Sequence, residues 1–164
     1  SMSNKNISYF GEINNQENDY FEGVIILDSK EIELNLDFAS NQDGSDDWSE
    51  KLEHYLSNIH AYKLSIDSAI QTNFNNGGMA KAYVDSLLND LDNIDELLSD
   101  ADFTNSKEEQ FLSLLKKSVE RITFYPGDKV YAVWDYMIDS ESSDEILAVQ
   151  TDHEGKVTSI YCES

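Results

Sequence analysis

Residues Glu31 to Phe38 alternate without interruption, with Ile32, Leu34, Leu36 and Phe38 on one side and Glu31, Glu33, Asn35 and Asp37 on the other. Successive side chains of a strand point to opposite faces, so this segment predicts a half-buried strand. The apolar run Gly23 to Leu27 precedes it, with Asp28-Ser29-Lys30 as the turn, and the two read as a hairpin. A further strand is expected over Ile7 to Ile13. From Trp48 the period changes to that of a helix. Trp48, Leu52, Tyr55, Leu56, Ile59, Tyr62, Ile66, Ala69 and Ile70 form one stripe of about six turns, opened by a capping box of Asp47 and Glu50. Asn73 to Gly78 breaks that pattern. A second helix is predicted from Met79 to Asp92, and Ile94 to Leu98 continues it or starts a short third one. Thr104 or Asn105 caps a last helix, with Phe111, Leu114, Leu115, Val119 and Ile122 as its buried stripe.

Pro126-Gly127 ends the helical block. Three apolar runs then follow at regular intervals: Val130 to Ile138, Glu145 to Thr151 and Val157 to Cys162. A polar turn at Ser140 to Asp144 and a glycine turn at Asp152 to Lys156 separate them. The expected fold is α+β: an antiparallel sheet made from an N-terminal hairpin and a C-terminal three-strand meander, with a central block of three to four helices packed on it. Residues 1–164 read as a single domain, in which 1–6 are a tag remnant (Ser1 stands ahead of Met2) and a flexible N-terminus.

Charge narrows the choice of partners. Thirty-three acidic residues against eleven basic ones give a formal charge of −22 over 164 residues. Such a body repels nucleic acid and anionic membrane surfaces and attracts basic proteins or cations. At 40% hydrophobic, with nine Tyr, seven Phe and two Trp, the composition is that of a folded chain and not of an acidic tail. Cys162 is the only cysteine, which excludes an internal disulfide. With no apolar run of membrane-spanning length and no signal-type N-terminus, the expected location is cytoplasmic.

Motifs for chemistry are absent. No segment has the spacing of an EF-hand, and His54, His60 and His153 stand neither at i,i+4 nor beside a cysteine, so no metal site is expected. Nothing resembles a nucleophile elbow or a Cys/His pair, and Gly77-Gly78 lacks the Lys that follows in a phosphate loop. The chain is therefore expected to be no enzyme and to carry no cofactor. What it has instead is the acidic run Asp85, Asp90, Asp92, Asp95, Glu96, Asp100 and Asp102, uninterrupted by any basic residue between Lys81 and Lys107, with a second group at Asp43, Asp46 and Asp47. These are either the solvated face of an acidic helix pair or a docking surface for a cationic partner. Trp134 and Tyr136, in the aromatic strand with Tyr131, are core residues or, if exposed, interface anchors.

Several motifs together resemble a known family. They are Arg121-Ile122-Thr123-Phe124-Tyr125-Pro126, Tyr131 to Tyr136, Ile146 to Val149, Asp152 to Lys156 and the final Glu163-Ser164, with Tyr9-Phe10-Gly11 and the Ile32 to Phe38 strand near the start. The chain resembles the bacterial family catalogued as domain of unknown function number two thousand and four. That resemblance implies kinship with proteins encoded near polymorphic and contact-dependent toxins, and so an immunity role. Charge and resemblance lead to one expectation: an immunity protein that binds a cognate, basic toxin domain, possibly a nuclease, and is either a monomer or a 1:1 heterodimer with that toxin. The alternative is an acidic regulatory or interaction module for a basic cellular protein.

Overall fold

The computed structural model of the chain describes residues 4–39 and 47–164. It is α+β, as expected. A two-stranded N-terminal hairpin, β1 (Lys5–Ile7) and β2 (Gly11–Ile13), precedes a six-stranded sheet. The sheet is built from β3 (Tyr20–Leu27), β4 (Lys30–Asp37), β5 (Val119–Phe124), β6 (Ala132–Tyr136), β7 (Ile146–Thr151) and β8 (Val157–Glu163), in that spatial order. Between β4 and β5 come α1 (Trp48–Ser57), α2 (Ile59–Asn75), α3 (Met79–Asp90), α4 (Ile94–Leu97) and α5 (Lys107–Lys116). Among the described residues no helix is long and apolar enough to cross a membrane.

Every strand pair in the large sheet is antiparallel except β4 with β5, where Glu33 lies opposite Arg121 and Leu36 opposite Phe124. A parallel pair cannot be closed by a hairpin, so the chain must cross over a face of the sheet, and this crossover contains all five helices. The helices cover the face that carries Leu34, Ile122, Trp134 and Val149, all fully buried. Leu52, Tyr55, Ile59, Ile66, Ile70, Phe111 and Leu115 meet them from the helix side.

Several details depart from the sequence reading. The strand expected over Ile7 to Ile13 is instead the end of β1 and the whole of β2, separated by a turn. The single long stripe is two helices, because Asn58 adopts φ −108°, ψ 9° and its side-chain amide, with the Ser57 hydroxyl, donates back to the His54 carbonyl. The last helix is capped by Ser106, whose hydroxyl accepts from the Glu109 amide at 3.2 Å, and not by Thr104 or Asn105. Val119 and Ile122 belong to β5 and not to that helix. A register shift between Val119 and Arg121 turns Val119, Ile122 and Phe124 to the same side, and the resulting three-residue step imitates a helix. Lys5 and Asn6, expected to be flexible, pair in β1 with Ile13 and Glu12.

Two glycines mark close approaches. A side chain on Gly23 would meet the Tyr9 carbonyl oxygen at 2.5 Å, so this residue lets the β1–β2 hairpin lie against β3. Gly155, at φ +78° in the β7–β8 turn, lies under the Tyr62 ring, which a Cβ would meet at 2.3 Å.

Candidate interaction surface

The face of the sheet opposite the crossover carries the polar alternates of the strands. On β3 and β4 these are Tyr20, Glu22, Val24, Ile26, Glu31 and Glu33, all exposed. Ile26 is 66% exposed, and Tyr20 and Val24 each 47%, a high value for large apolar groups on one strand. β3 is also one of the two edge strands of the sheet, the other being β8.

Toward the middle of this face the Arg121 Nε donates to Asp135 Oδ2 at 2.6 Å. Asp135 is only 6% exposed, and its other oxygen has no hydrogen-bond partner among the described residues. Burial pushes the Asp135 carboxyl above its ordinary range, and the guanidinium only partly offsets this because it engages one oxygen. Burial also works against the charge of Arg121, but Asp135, Glu33 and Glu163 outweigh it and hold the guanidinium protonated. The same charges reach the neighbouring tyrosines. Tyr20 is raised by burial and then by Glu22, Glu33 and Asp37. Tyr125 is raised by burial and then by Asp37 and Asp135. Both therefore present neutral hydroxyls, able to donate as well as accept.

A cleft of about 660 Å³ opens on this face between β3, β4 and β5. Glu22, Glu31, Glu33 and Glu120 line it, with Arg121 as the only basic residue among the described residues of its lining and Val24 and Met137 as apolar wall. Arg121 is already engaged by Asp135, and Glu120 is paired with Lys30 at 3.0 Å, so the carboxylates the cleft offers without an ion pair among the described residues are Glu22, Glu31 and Glu33. Its Met137 to Ser140 wall is tied to the rest of the fold: Met137 N donates to Ser118 O at 2.9 Å, Ile138 N to the Tyr83 hydroxyl at 3.2 Å, and Asn93 Nδ2 to Asp139 Oδ2 at 3.0 Å. The arrangement suits an ammonium or guanidinium group on an aliphatic stem.

The acidic residues singled out from the sequence lie elsewhere, on the helical side. Asp85, Asp90, Asp92, Asp95, Glu96, Asp100 and Asp102 are all exposed. Several are occupied locally. Asp85 shares Lys81 with Glu108, at 2.9 and 3.1 Å, and Asp95 meets Lys107 at 3.3 Å. Asp102 accepts from the Thr104 amide and hydroxyl, and these bonds hold its carboxyl below the usual range. Asp47 is exposed at the start of α1, makes no side-chain cap there, and stands 3.8 Å from Lys51. Asp43 and Asp46 lie outside the described residues.

Trp134 and Tyr136 are corrected outright as contact residues. Both are fully buried on the helix-facing side of β6, and the Trp134 indole donates to the Tyr55 hydroxyl at 2.9 Å. The strand period places Val133 and Asp135 outward instead. His54 and His60 are exposed on α1 and α2. Cys162 is a partly buried residue of β8, its thiol pushed up by burial and then by Glu145. Among the described residues no three or more His, Cys, Asp or Glu converge as metal ligands.

The sequence reading missed the sheet-face cleft, although Glu31, Glu33, Asn35 and Asp37, the polar half of its clearest alternating pattern, were the signal for it. Compared with known proteins, the chain matches no family model, no curated protein and no solved structure.

Proposed function

We propose that this protein is an immunity protein: a binding protein and not an enzyme, which neutralises a basic toxin domain by seating it on the open face of its sheet. The observation that carries the reading is the acidic cleft of Glu22, Glu31, Glu33 and Glu120 beside exposed Tyr20, Val24 and Ile26. Interfaces gain most from aromatic and apolar anchors at a desolvated centre, with charge complementarity steering the encounter. This face offers both, and a basic surface made to hold nucleic acid is its electrostatic complement. A Lys or Arg of the toxin would enter the cleft and lay its stem on Val24 and Met137. The charge of −22 supports the same assignment.

The test is co-expression with the product of the reading frame adjacent to its own gene. A stable 1:1 complex and restored growth of cells making that product are expected. A soluble, toxic neighbour that neither binds nor is neutralised would overturn the reading and leave the acidic regulatory module in its place.

A further inference from the structure

Four of the chain's eleven basic residues line a single cavity of about 620 Å³ at one end of the helix layer. Lys30 comes from the start of β4, Lys63 from α2, and Lys116 and Lys117 from the end of α5. Among the described residues Asp28 and Asp67 are the only carboxylates in its lining, so four lysines face two acidic residues in a protein whose overall balance is the reverse. Leu27 and Val119, both buried, give it an apolar floor.

The lysines differ in how far they are already used. Lys63, only 7% exposed, donates to Asp67 Oδ1 at 2.6 Å and to the Lys116 carbonyl at 2.7 Å, tying α2 to the end of α5. Lys30 meets Glu120 at 3.0 Å. Lys116 donates to the neutral Gln71 side chain at 2.6 Å, and Lys117 is exposed and in no ion pair among the described residues. Lys116 and Lys117 are thus in no ion pair among the described residues, although Lys116 acts on Asp67 from beyond contact distance. The wall beside them is poorly solvated: burial raises the Asp67 carboxyl although Lys63 and Lys116 pull it down. Tyr136, the cross-strand partner of Val119, holds a fully buried hydroxyl with no hydrogen-bond partner among the described residues. Charge interactions strengthen in such surroundings.

We propose that this cavity binds a small phosphorylated molecule, with its phosphate held by Lys116, Lys117 and the Ser113 hydroxyl and its apolar part laid on Leu27 and Val119. Its volume lies in the usual range for small-ligand sites. Planar carboxylates are matched best by the fork of arginine, whereas convergent lysines act as point charges suited to the several oxygens of a phosphate. The acidic surface around the cavity repels long polyanions, which favours a compact ligand over a nucleic acid strand. This inference stands apart from the sheet-face reading: the two sites share no lining residue among the described residues and meet only through the Lys30–Glu120 ion pair, which neither proposal uses.

The probe is pyrophosphate, titrated into the full chain at low salt by calorimetry and by amide chemical shifts. Saturable binding is expected, with shifts confined to residues 27–30, 63–67 and 113–119. Lys116→Gln with Lys117→Gln should weaken it at least about tenfold, the scale of losing charge-assisted bonds. Lys63 is left intact, and the single Lys117→Gln variant, at an exposed position, reports the same loss should the pair disturb the fold. Absence of saturable binding, undiminished binding by the folded variants, or equally tight binding of malonate would overturn the proposal.

Discussion

The indole Nε1 of Trp134 on β6 donates to the hydroxyl of Tyr55 on α1 at 2.9 Å, across 79 residues of chain. That hydroxyl also lies 2.8 Å from Thr151 Oγ1, which in turn reaches the Asp152 carbonyl at 3.0 Å. A polar thread therefore runs through the core and fixes α1 over β6 and β7. Burial holds the Tyr55 phenol far above its ordinary range, so it stays a neutral donor and acceptor. Tyr55→Phe keeps the ring and strands the indole N–H. A loss of about 2 kcal/mol is expected, or about 4–8 °C in Tm for a chain of this size. Thermal unfolding of the variant measures it.

Gly155→Ala should cost more. The left-handed φ is unfavourable for alanine, and its methyl would enter the Tyr62 ring. Roughly 3 kcal/mol is expected from the two effects together. Pairing it with Tyr62→Ala should recover part of that loss, so a double-mutant cycle read by denaturant unfolding would show coupling and not additivity.

The β3–β4 turn puts both Asp28 (φ 51°) and Ser29 (φ 65°) in the left-handed region, where a two-residue hairpin turn of this kind prefers glycine. Ser29→Gly should relieve the steric cost at that position. A gain of about 0.5–1 kcal/mol, roughly 1–4 °C in Tm, is expected.

The pH dependence follows from buried carboxylates. Asp67 and Asp135 have folded-state values above the ordinary 3.8, because burial disfavours their charged forms. A raised acid is more easily protonated in the fold than in the unfolded chain. Its stabilising contribution is complete below 3.8 and is lost as pH rises through the folded value. Tm should therefore climb as pH falls from neutral toward 3.8, helped by relief of the net negative charge. Asp102 and Asp139 are lowered by hydrogen bonds, chiefly from Thr104 and from Asn93 respectively, and work in the opposite sense below 3.8. A scan of Tm against pH should show a rise followed by a fall, and Asp67→Asn should flatten the rise.

Much of the fold was legible because local period and core position agree. The alternation from Ile32 to Phe38, the stripe from Leu52 to Ile70 and the glycine turn at Gly155 each reappear in the structure. Where they failed, a local signal carried two meanings. The bulge in β5 made Val119 and Ile122 look helical, and the parallel pairing of β4 with β5 joins segments more than eighty residues apart, which no window along the chain can show. The candidate site was hidden differently. Charge density drew attention to Asp90 through Asp102, whereas the cleft collects Glu22, Glu33 and Glu120 from three separate strands. Asp135, between Trp134 and Tyr136, marked the outward side of β6, and its neighbours on that side come from strands distant in sequence.

On the proposed function, the sheet face, and not the acidic helical side, meets the basic partner. The direct measurement is the affinity of the complex with the neighbouring gene's product for two folded charge-reversal pairs, Glu22→Lys with Glu33→Lys and Asp95→Lys with Asp100→Lys. The first pair should weaken binding on the order of a hundredfold, and the second only a few-fold through the loss of long-range steering. Binding that survives the first pair and collapses with the second would contradict a sheet-face interface and move the partner to the helical side.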